Sequence, residues 1–342
     1  MYQRLRPAIY RLAPEEAHRA TVALLRLAGA FPPARTLVRR IFGPAREGPA
    51  VQAFGLSFSN PVGLAAGYDK DGLAWRGLAE LGFGHIEVGT VTPKPQPGNP
   101  EPRIFRLVDD RAVINRMGFP SRGSEYLAGQ LHAPRPRRLI LGVNIGKNKA
   151  TALEEAVGDY LSLMRVFAPL ADYLAINVSS PNTPGLRALQ GRRALEELLA
   201  PLAAERHSQV LTLGRSLPLL VKLAPELANG ELDDALDVIL STGMDGVIVS
   251  NTTLRRENLQ SRHAGETGGL SGAPLKQLNT ELVRVVAART AGKLPIVASG
   301  GIMRPEDVRE KLDAGAILVQ LYTGLIYEGP GLVRKVFEHG FA

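Results

Sequence analysis

Residues 177–185 read Asn-Val-Ser-Ser-Pro-Asn-Thr-Pro-Gly and follow the apolar run Tyr173-Leu-Ala-Ile176. A buried strand there delivers the amides of Asn177 and Asn182 and the hydroxyls of Ser179 and Ser180 to one short loop. Proline disfavours the helical region for the residue before it, so Ser180 and Thr183 should be extended. Amides that both donate and accept, beside a hydroxyl on a stiffened loop, suit a small planar ligand and a proton transfer. The same residues are equally consistent with an ordinary strand-to-helix turn capped by Ser or Thr.

Polar residues also end the other apolar runs. They are Ala65-Ala-Gly-Tyr-Asp-Lys70, Gly89-Thr90, Asn144, Lys222, Ser250-Asn-Thr-Thr253, Ser299-Gly-Gly301 and Tyr322-Thr-Gly324. The set has no paired carboxylates and no metal-ligand cluster, and Asp69 and Asp71 could serve as helix caps. No histidine follows any run, which argues against His-dependent hydrolysis and zinc chemistry. The chain has no cysteine, so thiolate ligands, disulfides and a cysteine nucleophile are excluded. What remains suits a polar heterocycle and a phosphate, with a cofactor carrying the hard chemistry. Gly300-Gly301 and Thr323-Gly324 could present backbone amides to a phosphate or form plain tight turns. Lys222 has three readings: a Schiff-base amine of a barrel lyase, a fixed cation beside a flavin, or half of a structural ion pair.

The elements that must position these residues alternate. Strand-like runs cover 61–66, 85–89, 139–145, 173–178, 217–223, 246–250, 294–298 and 316–322. Helical patterns at 73–81, 152–167, 192–202, 231–241, 280–289 and 305–313 separate most of them. Eight buried parallel strands alternating with helices predict a (β/α)8 TIM barrel, an α/β fold whose chemistry sits at the carboxyl ends of its strands. A doubly wound sheet would carry a G-x-G-x-x-G turn, and Gly63-Leu-Ala-Ala-Gly67 lacks that spacing.

Ahead of the barrel, residues 3–12 and 14–29 read as two helices and 35–42 as a third short turn. A Gly/Pro linker begins at Gly43, which predicts a helical extension at 1–42 and a barrel at 43–342. The extension carries eight arginines and two glutamates, a net +6 of the chain's +8. Its composition fits a helical pair packed on the core or an amphipathic hairpin on an anionic lipid surface. Transit peptides are Ser-rich, whereas the first serine here is Ser57. Basic residues interleaved with aromatics are lacking, so no nucleic-acid role is expected. No run reaches the length of a transmembrane helix.

With these residues assembled, the chain resembles the dihydroorotate dehydrogenase family, in its membrane-associated, quinone-linked class. The motifs are Ala65–Lys70, Gly89–Asn99 running to Pro102-Arg103, Asn115-Arg-Met-Gly-Phe119, Gly142–Lys147, Asn177–Gln190 and Gly268–Gly272. The resemblance implies an FMN enzyme that oxidises (S)-dihydroorotate to orotate in pyrimidine synthesis. It places FMN on Ala66, Gly67, Tyr68, Asp69, Lys70, Thr90, Asn144, Asn177, Lys222, Ser250, Gly272, Gly301, Tyr322 and Thr323. It places substrate on Lys70, Asn115, Arg116, Met117, Gly118, Phe119, Asn177, Asn182, Asn251 and Thr252. Ser180 takes the place of the catalytic base, which is usually cysteine in the soluble class, and Ser250 stands where threonine is frequent. Electrons would leave to a membrane quinone through a tunnel that includes His18 and Arg106. The implied protein is peripheral to the membrane, on the cytoplasmic face if bacterial. A monomer is expected, with a homo-oligomer left open. Rival readings are an FMN barrel acting on a related pyrimidine, a Lys222 Schiff-base lyase, and a non-enzymatic membrane-surface protein.

Overall fold

A computed structural model describes residues 2–46, 48–136 and 138–341. Eight parallel strands close into a barrel: β1 (Val62–Leu64), β2 (His85–Val91), β3 (Ile140–Ile145), β4 (Tyr173–Asn177), β5 (Leu219–Leu223), β6 (Gly246–Val249), β7 (Ile296–Ser299) and β8 (Leu318–Leu321). Each pairs with its sequence neighbours, and β8 pairs with β1. The (β/α)8 expectation therefore holds, with the strands shorter than the apolar runs by one or two residues at most ends.

Period-two alternation explains how such strands serve two surfaces. On β4, Leu174 and Ile176 join the large core shared with the outer helices, while Tyr173 and Ala175 pack inside the barrel with Leu220, Ile248, Val297 and Leu318. A hairpin of Val51–Ala53 and Leu56–Phe58 closes the barrel floor, adding Ala53 and Phe58 to that inner cluster. Its two turn residues, Phe54 and Gly55, both have positive φ (54° and 74°), the condition for a type I′ hairpin turn. A three-stranded antiparallel sheet of Ile104–Leu107, Ala112–Asn115 and Gly269–Gly272 lies over the opposite end.

The extension forms α1 (Tyr2–Ile9), α2 (Pro14–Ala30) and α3 (Pro32–Phe42). Pro14 occupies the first turn of α2, and the Glu16 side chain accepts the Ala13 N–H. α2 lies close against the short helix Trp75–Ala79 because Gly77 has no side chain: a Cβ there would sit 2.1 Å from the Leu25 carbonyl oxygen. α3 is pinned by Arg35 and Arg39, which meet the two oxygens of buried Glu80 at 2.8 and 2.7 Å. Several arginines of the extension thus pair with groups of the barrel, Arg19 and Arg39 while more than half exposed. Arg19 pairs with Glu101 and Arg6 donates to the Tyr327 carbonyl, because docking the helices brings them against acceptors distant in sequence. Arg4, Arg11, Arg26 and Arg40 are exposed as well.

Candidate active site

A cleft at the carboxyl ends of the strands gathers most of the expected residues. Ala66, Gly67, Lys70, Thr90, Asn177, Lys222, Ser250, Gly272, Gly301, Tyr322 and Thr323 line it, with Asn115, Met117, Gly118, Phe119, Ser180, Asn182, Asn251 and Thr252. Four predicted contacts stand apart. Asn144 is fully buried one layer below the cleft. The Asp69 carboxylate is occupied by the amides of Leu73 and Ala74, at 2.8 and 2.7 Å, which ties down the turn leading into the helix Trp75–Ala79. Tyr68 turns to a second cavity, and Arg116 turns outward to Glu266 at 2.7 Å.

The fourth loop separates its two serines. Ser179 is fully buried, donates to Asn177 Oδ1 at 3.2 Å and accepts from Asn251 Nδ2 at 3.0 Å. Ser180 lines the cleft, and among the described residues its hydroxyl oxygen accepts only the Asn182 N–H, at 3.3 Å, a contact near the limit for a hydrogen bond. Asn182 Nδ2 in turn holds Asn115, reaching its carbonyl at 3.1 Å and its side-chain oxygen at 3.2 Å. Asn177 Nδ2 donates to Thr90 Oγ1 at 2.9 Å and Asn144 Oδ1 at 3.1 Å. The amides form one connected network rather than independent contacts.

Two lysines supply positive charge. Burial pulls Lys70 down to about 8, with Asp71 opposing, and burial also lowers Lys222, with Glu87 opposing. Gly272 and Gly301 have φ of 101° and 73°. A Cβ on Gly301 would lie 2.2 Å from the Lys276 Cα, so the turn after β7 admits only glycine and keeps its amides open. Ser299, read as a strand-end residue, also lines the cleft, and sequence reasoning missed Gln320 and Ser271, which line it too. Gln320 is the polar member of an apolar run and was detectable as such; Glu87 on β2 carries the same signal.

A second cavity of about 430 Å³ opens between the extension and the barrel. Tyr2, Ile9, Tyr10, Pro14, Ala17, His18, Leu24 and Leu25 form one wall, and Arg106 lines it too. His18 meets the Tyr68 ring edge-on at 5.1 Å. Burial, with help from Lys70, lowers its pKa to about 4, leaving a neutral imidazole near pH 7. Arg106 stacks over Tyr10 at 4.2 Å and donates to its carbonyl at 3.2 Å. Asn115, Met117, Ser271 and Tyr322 border both cavities. Among the described residues no His/Cys/Asp/Glu group could hold a metal ion.

The family model described as dihydroorotate dehydrogenase matches residues 50–339. The chain belongs to the dihydroorotate dehydrogenase family. Over 339 residues it is 48% identical to a dihydroorotate dehydrogenase (quinone) of Azotobacter vinelandii, covering 99% of this chain and 96% of that one. The corresponding protein of Anaeromyxobacter dehalogenans is 51% identical over 342 residues, covering 98% and 91%. A solved structure of DHODH from Eimeria tenella in complex with ferulenol superposes with a TM-score of 0.87 at 41% identity, covering 96% and 93%. The ligand-free Eimeria tenella structure gives 0.86 at 42%, covering 95% and 93%. Dihydroorotate dehydrogenases described as quinone-dependent thus match both the extension and the barrel of this chain.

Proposed function

We infer that the chain oxidises (S)-dihydroorotate to orotate in de novo pyrimidine synthesis and delivers the electrons to a membrane quinone. One observation carries this reading: Ser180 presents its hydroxyl to a polar cleft that shares a wall with a largely apolar second cavity. The cleft fits FMN. It has glycine turns with open amides after β7, a buried lysine, and a Gln320 side-chain oxygen that is buried without a partner. Gly272, Gly301, Tyr322 and Thr323 would hold the phosphate end, and Thr90, Asn177, Lys222 and Ser250 the ring, with the backbone of 66–70 alongside. Bound FMN supplies a two-electron acceptor for the hydride that leaves C6 of the substrate.

The chain's own residues do the rest. Lys70 attracts the substrate carboxylate, while Asn115, Asn177, Asn182 and Asn251 hold the pyrimidine edges. Ser180 Oγ takes the proton from C5. Thr183, 4% exposed with an unpartnered hydroxyl, is the neighbouring group that would pass that proton through a water to solvent. Tyr322 and the extension form the way out toward quinone, past His18 and Arg106.

The extension also supports attachment to a lipid surface. Leu5, Leu12, Leu24, Leu27, Phe31, Leu37 and Ile41 are exposed there, interspersed with the free arginines. No described helix is long and apolar enough to cross a membrane, so attachment would be peripheral.

An anaerobic absorbance titration of the purified protein with dihydroorotate tests the reading. The expected result is a flavin band that bleaches on addition and returns on adding a quinone. A protein that carries flavin but does not bleach would refute the substrate assignment.

A further inference from the structure

Glu87 lies at the centre of β2 with none of its surface exposed, inside a barrel whose lower half is apolar. Three side chains from three other strands donate to it. Asn144 Nδ2 on β3 reaches Oε1 at 2.8 Å, while Tyr173 OH on β4 and Gln320 Nε2 on β8 reach Oε2 at 3.0 and 2.9 Å. Among the described residues the two oxygens are met by two amide nitrogens and one phenol hydroxyl, a set that lets the carboxyl act purely as an acceptor.

This arrangement fixes the polarity of the layer above. Because the Asn144 amide nitrogen is committed to Glu87, its oxygen must accept, and it does so from Thr90 and Asn177. Asn177 Oδ1 then accepts from Ser179. Because the Gln320 nitrogen is committed as well, its buried and unpartnered oxygen is left as an acceptor in a side chain that lines the cleft. Buried acceptors without partners cost stability unless a ligand satisfies them. The oxidised flavin ring has a single N–H donor, on its pyrimidine edge.

We propose that Glu87 positions and electrostatically tunes the flavin: it turns Gln320 into an acceptor for that ring N–H, and its buried charge lowers the flavin's tendency to be reduced. The proposal rests on the FMN reading above. A fixed negative charge buried below the cleft would oppose the charge that reduction adds to a flavin bound there, and it is poorly screened at this depth. Lys222 acts in the opposite sense.

The test compares flavin midpoint potentials of the FMN-loaded wild type, Glu87→Gln and Tyr173→Phe, equilibrated anaerobically with a reference dye. Glu87→Gln should raise the reduced-to-oxidised ratio at fixed dye potential about tenfold, about 30 mV for a two-electron couple. Tyr173→Phe keeps the charge and removes a donor from it, so its shift should have the opposite sign. Gln320→Leu should weaken FMN binding to the apoprotein about tenfold, read by flavin fluorescence. A Glu87→Gln holoenzyme with an unchanged potential overturns the proposal, as does a shift in the same direction in both variants. If Glu87→Gln does not fold, a Tyr173→Phe shift that is absent or positive overturns it. A wild type without bound flavin would instead overturn the FMN reading itself.

Discussion

Arg187 Nε donates to the carbonyl oxygen of Ser179 at 3.1 Å, so the peptide entering Ser180 is held from the far end of its own loop. The same guanidinium reaches the Thr252 carbonyl at 3.0 Å and Glu226 at 2.9 Å, tying the loops after β4, β5 and β6 together. Replacing Arg187 by alanine should loosen the loop without unfolding the barrel. Charge-assisted bonds of this kind are worth about 1.5–3 kcal/mol each. We expect faster proteolysis within 181–190 and a fall in kcat/KM of about tenfold or more. Equal proteolysis in wild type and variant would show that the strap is dispensable.

Ser180→Ala should slow flavin reduction by dihydroorotate by about 10²–10⁴, the usual range for losing a general base. Orotate binding should be nearly unchanged, since the amides remain. Stopped-flow mixing without oxygen measures the first quantity, and orotate-induced spectral change the second. Ser179→Ala should act differently, disturbing the Asn177–Asn251 network instead of removing the reacting hydroxyl.

Lys70 titrates near 8 because burial disfavours its charge. On the proposed chemistry the ammonium attracts the substrate carboxylate below that pH, and above it the attraction is lost. KM for dihydroorotate should therefore rise through pH 8 and beyond, approaching tenfold per unit, while Lys70→Arg should flatten the profile over that range. A flat wild-type profile from pH 7 to 9 would refute the role.

His85 sits on the barrel floor against Phe58, with both ring nitrogens buried and unpartnered. Burial lowers its pKa to about 3. Below about pH 6.5 the unfolded chain takes up a proton that the folded one refuses, so stability falls as pH drops from about 6.5 toward 3. The loss approaches about 1.4 kcal/mol per pH unit from this group. His85→Leu removes the titrating ring without adding bulk and should remove that part of the acid sensitivity. Thermal melts at pH 5 and pH 8 give the comparison; an unchanged difference in Tm between the two pH values counts against it.

Glu80→Ala strips Arg35 and Arg39 of their shared partner and should release α3. Dihydroorotate should still reduce the flavin at the normal rate, while turnover with a long-chain quinone drops several-fold. Normal quinone turnover would mean that docking of α3 has no part in acceptor access.

Much of the barrel was legible because parallel strands buried on both faces read as continuous apolar runs. The fourth loop was legible for the same reason: polar residues directly after such a run must lie at its carboxyl end. What escaped had no local signal. The floor hairpin uses strands of three residues, and the sheet over the mouth pairs Ala112–Asn115 with Gly269–Gly272, far apart in sequence. Glu87 was readable as an acid inside an apolar run, but Gln320, 233 positions away, could not be assigned to it by spacing. Asn144 looked like its neighbours in sequence and differs from them only in depth.

Ser180 follows β4 and Tyr322 follows β8, and in a ring of eight sequential strands those positions face each other across the mouth. The floor hairpin shuts the far end, so both routes open at the same end of the barrel but on opposite rims. On the proposed chemistry, the proton and the electron pair taken from one substrate part company there. An obstruction at the helical extension should therefore stall reoxidation alone, and one at the fourth loop should stall reduction alone. Inhibitors of the two half-reactions should bind together rather than exclude one another.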